Sequence, residues 1–96
     1  MYKIYKFELK VIGEQTIKVP TVFNQSTDIL SVQVQHGVLC VWIKVFMANN
    51  PEDQIEKEIK FYIYGTGHSI PNYNSMKYLQ SVQQEGFVWH IFTDLD

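Results

Sequence analysis

The segment from Asp28 to Met47 constrains the fold more than any other part of the chain. Asp28 to Gln35 and Val38 to Met47 are dense in β-branched and aromatic residues, and His36-Gly37 separates them. A two-residue turn of type I′ sets both central positions at positive φ, which glycine adopts freely and histidine more readily than most side chains. Such a turn fixes the register of the strands it joins. Val34 is then expected opposite Leu39, Val32 opposite Val41, and Leu30 opposite Ile43, all six apolar and on one face. A slip of one residue would set these side chains against polar ones. The other face pairs Gln33 with Cys40, Ser31 with Trp42, and Ile29 with Lys44. It is mixed, and reads as a solvated or a binding surface.

The rest of the chain reads as strands too. Residues 3–11 alternate, with Tyr5, Phe7, Leu9 and Val11 on one side and Lys6, Glu8 and Lys10 on the other. That period of two marks a half-buried strand. Gly13-Glu14 is a turn. Gln15 to Val19 alternates again, and Pro20 is expected to stop it. Residues 20–28 read as a polar loop. Asn50-Pro51-Glu52-Asp53 resembles a helix start. Ile59, Phe61 and Ile63, however, alternate with Lys60, Tyr62 and Tyr64. At most one helical turn is expected there, followed by a strand to Tyr64. Gly65-Thr66-Gly67-His68 breaks that strand, and Ser69 to Met76 is a polar loop. Tyr78 to Gln84, the turn Glu85-Gly86, and Phe87 to Thr93 form a final hairpin. The tail Asp94-Leu95-Asp96 is expected to fray. Residues 1–96 thus read as a single all-β domain, a small antiparallel β-sandwich or barrel of about seven strands. Alanine, the best helix former, occurs only at Ala48, which agrees.

Charge and composition narrow the function. The net charge is −2 and arginine is absent. A nucleic-acid binder usually has a basic excess and uses arginine on phosphates and guanine edges, so a nucleic-acid partner is not expected. No apolar run approaches the ~20 residues of a membrane span, and none is expected. The first residues, Met1 to Lys6, lack the apolar stretch of a signal peptide. Cys40 is the lone cysteine, which excludes an internal disulfide and fits a reducing cytoplasm.

No residue set names a reaction. The Gly65–His68 turn could cradle an anion with its amides, but it runs into Ser69-Ile70-Pro71 and not into a helix start. It reads better as a strand end that needs positive φ. His36, His68 and His90 lie far apart in sequence without ligand-pair spacing, so no metal is expected. Cys40 sits mid-strand as a small apolar residue, Ser69 follows His68 without forming a pair, and no G-x-S-x-G occurs. No catalytic residue or cofactor is expected. The acids Glu52, Asp53, Glu56 and Glu58 read as a solvated face. The aromatic residues are more telling. Trp42, Tyr62, Tyr64, Tyr73 and Tyr78 fall on positions the core pattern does not require. Tyrosine and tryptophan favour interfaces because they combine rigid apolar area with a polar tip. With Thr66, His68 and His90 they form the candidate binding set, and Gln33, Gln35, Gln80, Gln83 and Gln84 add hydrogen-bonding capacity. The competing explanation is ordinary second-layer packing.

Several strings together resemble a small family of uncharacterised proteins encoded by phages and prophages. They are Tyr5-Lys6-Phe7-Glu8-Leu9, Glu14-Gln15-Thr16-Ile17 with Val19-Pro20, and Leu30 to Gly37 with Trp42. Gly65-Thr66-Gly67-His68 with Ile70, and Phe87 to Phe92, complete the set. The resemblance implies a phage or bacterial origin and a compact domain, and it carries over no catalytic residue. The expected role is a phage-encoded accessory protein that binds a bacterial protein, for example to inhibit a host defence component, or that pairs with a second copy. The alternatives are a sponge for a nucleotide messenger and a structural part of the virion.

Overall fold

The turn at His36-Gly37 forms as its residues require, with φ of 52° and 79°. The computed structural model describes residues 1–95. Strands β1 (Tyr2–Glu8), β2 (Gln15–Thr21), β3 (Asp28–Gln35) and β4 (Val38–Phe46) precede a 3-10 turn at Pro51–Asp53. Strand β5 (Ile55–Gly65), a second 3-10 turn at Tyr73–Ser75, β6 (Lys77–Gln84) and β7 (Phe87–Thr93) follow. All pairings are antiparallel. The strands form two sheets, ordered β1-β4-β3 and β2-β5-β7-β6. They do not close into a barrel; the domain is a sandwich. Between the sheets lie Val32, Leu39, Val41, Ile43 and Val45 from one side and Val19, Ile59, Phe61, Ile63 and Ile91 from the other.

The two hairpins share one design. β3 and β6 each have eight residues, each leads into an X-Gly turn of positive φ, and each carries a bulge at its third residue. The bulge in β3 corrects part of the expected register. Val34 faces Leu39 and Val32 faces Val41, but Ile29, not Leu30, faces Ile43, and Asp28 faces Lys44. Leu30 is the extra residue and is 51% exposed. The correction follows from packing and charge. Ile29 packs against the core, and Asp28 gains an ion pair of 2.6 Å with Lys44.

Three further expectations change. β1 ends at Glu8 and not at Val11, because the Gln15 amide takes over as partner for the backbone of Lys10, at 2.8 and 2.6 Å. Val11 is exposed. Pro20 does not stop β2, which continues to Thr21. β2 is an edge strand, where the missing N–H costs no ladder bond. The tail holds as far as it is described. Lys60 N donates to Asp94 Oδ1 at 2.9 Å, Asp94 N returns a bond to Lys60 O, and Leu95 packs against the core. Asp96 lies outside the described residues.

Glutamines close the open sides of the sandwich. Gln80 Oε1 accepts from Val32 N at 3.2 Å, and Gln84 Nε2 donates to Gly37 O at 2.8 Å, so the edge strands β3 and β6 are stitched across the two sheets. At the other end Gln54 accepts from Ala48 N and donates to Thr21 O and Phe46 O. Among the described residues no helix is long and apolar enough to cross a membrane.

Candidate functional site

Alternation along β5 sends Phe61 and Ile63 into the core and Tyr62 and Tyr64 to the outer face of the four-stranded sheet. Pairing with β7 and β6 then extends each tyrosine into a row across three strands. Tyr62 faces Phe92, which faces Tyr78; Tyr64 faces His90, which faces Ser81. The strand order β5-β7-β6 makes these rows, and it brings together residues far apart in sequence.

The first row is aromatic. Phe92 is buried at 4% exposure although it points away from the core. Its cover is a ring of tyrosines set edge-on, Tyr78 at 5.5 Å, Tyr73 at 5.8 Å and Tyr64 at 6.2 Å between centroids. Edge-on contacts of this kind are the favoured aromatic geometry. Tyr73 arrives from the connection between β5 and β6, whose 3-10 turn is entered by Asn72 in the left-handed region. Tyr73 and Tyr78 remain 57% and 52% exposed. Burial holds the Tyr62 phenol above its ordinary pKa.

The second row is a chain of hydrogen bonds. Thr66 Oγ1 lies 2.8 Å from His90 Nε2, His90 Nδ1 lies 2.7 Å from Ser81 Oγ, and Ser81 Oγ lies 2.8 Å from the Tyr78 hydroxyl. Both imidazole nitrogens are therefore engaged, and His90 is fixed as part of the surface. A hydroxyl can donate or accept, so the chain accommodates either tautomer.

A cleft of about 480 Å³ opens beside these rows, lined by Gly65, Thr66, His68, Gly86, Phe87, Val88 and Trp89. Its floor depends on Gly65. A Cβ there would lie 3.0 Å from His68 Cε1 and 3.2 Å from Trp89 Cζ3. His68 folds back so that its Nδ1 accepts from Gly65 N at 3.2 Å, and its Nε2 has no hydrogen-bond partner among the described residues. The turn is closed by His68 N to Gly65 O, with Gly67 at φ 88°. Phe87, 62% exposed, stacks on Trp89 at 5.5 Å and 18°. The Trp89 indole donates to Gln84 Oε1 at 3.0 Å.

Tyr62, Tyr64, Thr66, Tyr73, Tyr78 and His90 from the expected set thus share one face, and His68 borders it. Trp42 is elsewhere. It faces Lys6 and Ser31 on the outer side of the three-stranded sheet, across the core from the tyrosines. Phe92, Ser81, Phe87 and Trp89 complete the clusters; Phe87, Trp89 and Phe92 lie in the string Phe87 to Phe92, but nothing in the sequence marks them as part of a shared surface. Of the glutamines, Gln80 and Gln84 bond across the sheets, Gln35 accepts from Lys6 Nζ at 2.8 Å, and Gln33 donates to Ser31 Oγ at 3.0 Å. Among the described residues no three His, Cys, Asp or Glu side chains gather as a metal site.

A family model described as a domain of unknown function, DUF7352, matches residues 1–96. No curated protein and no solved structure matches the chain.

Proposed function

The chain belongs to the DUF7352 family along its whole length, and we propose that it acts by binding another protein through the tyrosine face of its four-stranded sheet. The observation that carries this reading is the aromatic cluster around Phe92. Tyr64, Tyr73 and Tyr78 bury one ring on the side of the sheet away from the core, yet Tyr73 and Tyr78 keep about half their surface in water. Second-layer packing accounts for the buried Phe92. It does not account for rigid, half-exposed tyrosines beside a fixed Thr66–His90–Ser81 chain. Pre-ordered aromatic rings with hydroxyl tips lose little entropy on binding, which is why they dominate interface hot spots. The middle of this face carries no charge, so its complement is an apolar patch with a few hydrogen-bonding groups and not a highly charged surface.

The resemblance to phage and prophage proteins supports the biological half of the proposal. The protein is an accessory factor made during infection, its partner is a bacterial protein such as a defence component, and the meeting place is the host cytoplasm. Affinity capture from infected and uninfected bacterial lysate tests this. One host protein recovered in near-equal amount is expected, and a bait that recovers no partner removes the reading.

A second reading rests on the cleft beside Gly65–His68. The stacked Phe87 and Trp89 offer aromatic faces to a flat ring, and His68 Nε2 offers a hydrogen bond, as a nucleotide-messenger sponge would require. No lysine is among the residues lining the cleft, so a phosphate would meet backbone amides, the Thr66 hydroxyl and the His68 imidazole. Calorimetry with a panel of nucleotides tests it; the absence of heat ends it.

A further inference from the structure

We infer that β1 is a dimerisation edge, and that two copies of this chain join β1 to β1 in antiparallel fashion to make one continuous sheet from their two three-stranded sheets. The inference concerns a different surface from the tyrosine face and stands apart from it.

The backbone of β1 shows which groups are free. Met1 and Met47 exchange backbone bonds at 3.1 and 2.8 Å, and Leu9 N donates to Leu39 O at 2.8 Å, with unbroken register between. In an antiparallel ladder, bonding alternates from residue to residue. Lys3, Tyr5 and Phe7 therefore direct their N–H and C=O groups to β4. Tyr2, Ile4, Lys6 and Glu8 direct theirs away from the sheet, where no strand among the described residues receives them.

The other sheet edges are blunted. β2 contains Pro20, β6 carries the bulge near Leu79, and β3 carries the bulge at Leu30 and has Val32 N already bonded to Gln80. Proline, bulges, covered edges and charged side chains, lysine above all, are the devices by which proteins avoid strand addition. β1 carries Lys3 and Lys6 but neither proline nor bulge, no other element among the described residues covers its edge, and its register with β4 is regular throughout, so its backbone groups stay in line for pairing wherever each lysine meets an uncharged residue. Its inner face is thinly covered, since the two sheets pack mainly through β2 on β4 and β6 on β3. Tyr5 and Phe7, on its inner face, are consequently only half-buried.

The occupant follows from self-complementarity. With a two-fold axis at Tyr5, all the outward backbone groups pair. Tyr2 then lies opposite Glu8 of the second copy, Lys3 opposite Phe7, and Ile4 opposite Lys6. No like charges stand directly opposite, and the exposed Ile4, which is 61% accessible, meets the aliphatic base of Lys6, whose ammonium donates to Gln35 Oε1 at 2.8 Å within its own sheet. Tyr5 meets its own copy on the inner face, and each Phe7 gains cover. An axis at Lys6 would instead oppose two ammonium groups. With a net charge of only −2 per chain, the two copies repel weakly.

Proline scanning of the full chain, read by multi-angle light scattering, tests this. Ile4→Pro removes an outward N–H and spares the β4 ladder, so a monomer with an unchanged circular dichroism spectrum is expected, against a wild type of twice the mass of one chain. Tyr5→Pro removes an inward bond and should unfold the strand. Hydrogen exchange of the wild type provides a readout that needs no variant: the Ile4 and Lys6 amides should slow as concentration rises through the dimer range. A wild type that stays monomeric at high micromolar concentration, or a dimer that keeps its mass in Ile4→Pro and leaves those amides fast, overturns the inference.

Discussion

At the residue scale, a few polar side chains replace backbone partners, and their loss should be costly. Gln54 is the sharpest case. Its amide accepts from Ala48 N and donates to two carbonyls, Thr21 O and Phe46 O, tying the ends of β2 and β4. Gln54→Leu keeps the bulk and orphans all three groups. A loss of about 2–3 kcal/mol in denaturant unfolding is expected, because each unsatisfied buried group costs about 1–3 kcal/mol and this site is partly wet. Little change would mean that water takes over the bonds. Titration gives a second residue-scale outcome. Tyr62 has a raised pKa through burial, and Lys44 a raised one through its hydrogen bond to Asp28. In both, the folded chain holds the proton more tightly than the unfolded chain. Their contribution to stability is complete below the unfolded values and is lost as pH rises through the folded ones. Stability should therefore fall on the alkaline side, and Tyr62→Phe should flatten that fall. An alkaline limb unchanged by Tyr62→Phe and by Asp28→Asn would assign it elsewhere.

At the element scale, the hairpins explain both what the chain announces and what it conceals. His36-Gly37 and Glu85-Gly86 are readable as turns because few residues accept positive φ. Glu85 is the poorer choice, held at φ 50°. Glu85→Asn should stabilise the protein by about 0.5–1 kcal/mol, since asparagine tolerates the left-handed region better. A lower melting temperature would contradict the strain attributed to this turn. The bulges were not readable. Leu30 and Leu79 look like any strand leucine, and only packing decides which residue is the extra one. Pro20 was misleading for a related reason: it forbids a central strand, but sequence does not say which strands lie at the edge. Likewise, alternation placed Tyr62 and Tyr64 outside the core. The rows they form with Phe92, Tyr78, His90 and Ser81 depend on the order β5-β7-β6, which no short turn specifies.

At the scale of the whole molecule, the sandwich presents surfaces of different character. The glutamine-stitched edges of β3 and β6 are closed, the regular edge of β1 is open, and the tyrosine face stands on the outer side of the larger sheet. Trp42 lies on the opposite face, so it should be neutral for a partner held by the tyrosines. The measurement that tests the proposed role of the tyrosine face most directly is quantitative capture from bacterial lysate, infected and uninfected, by wild type, by Trp42→Phe and by the double variant Tyr73→Ala with Tyr78→Ala. Wild type and Trp42→Phe should recover one host protein in near-equal amount. The double variant, folded by circular dichroism, should lose it more than tenfold, as expected when hot-spot tyrosines worth about 2 kcal/mol or more are removed. Equal recovery by the double variant, or no stoichiometric partner for any of the three, would contradict a binding role for this face.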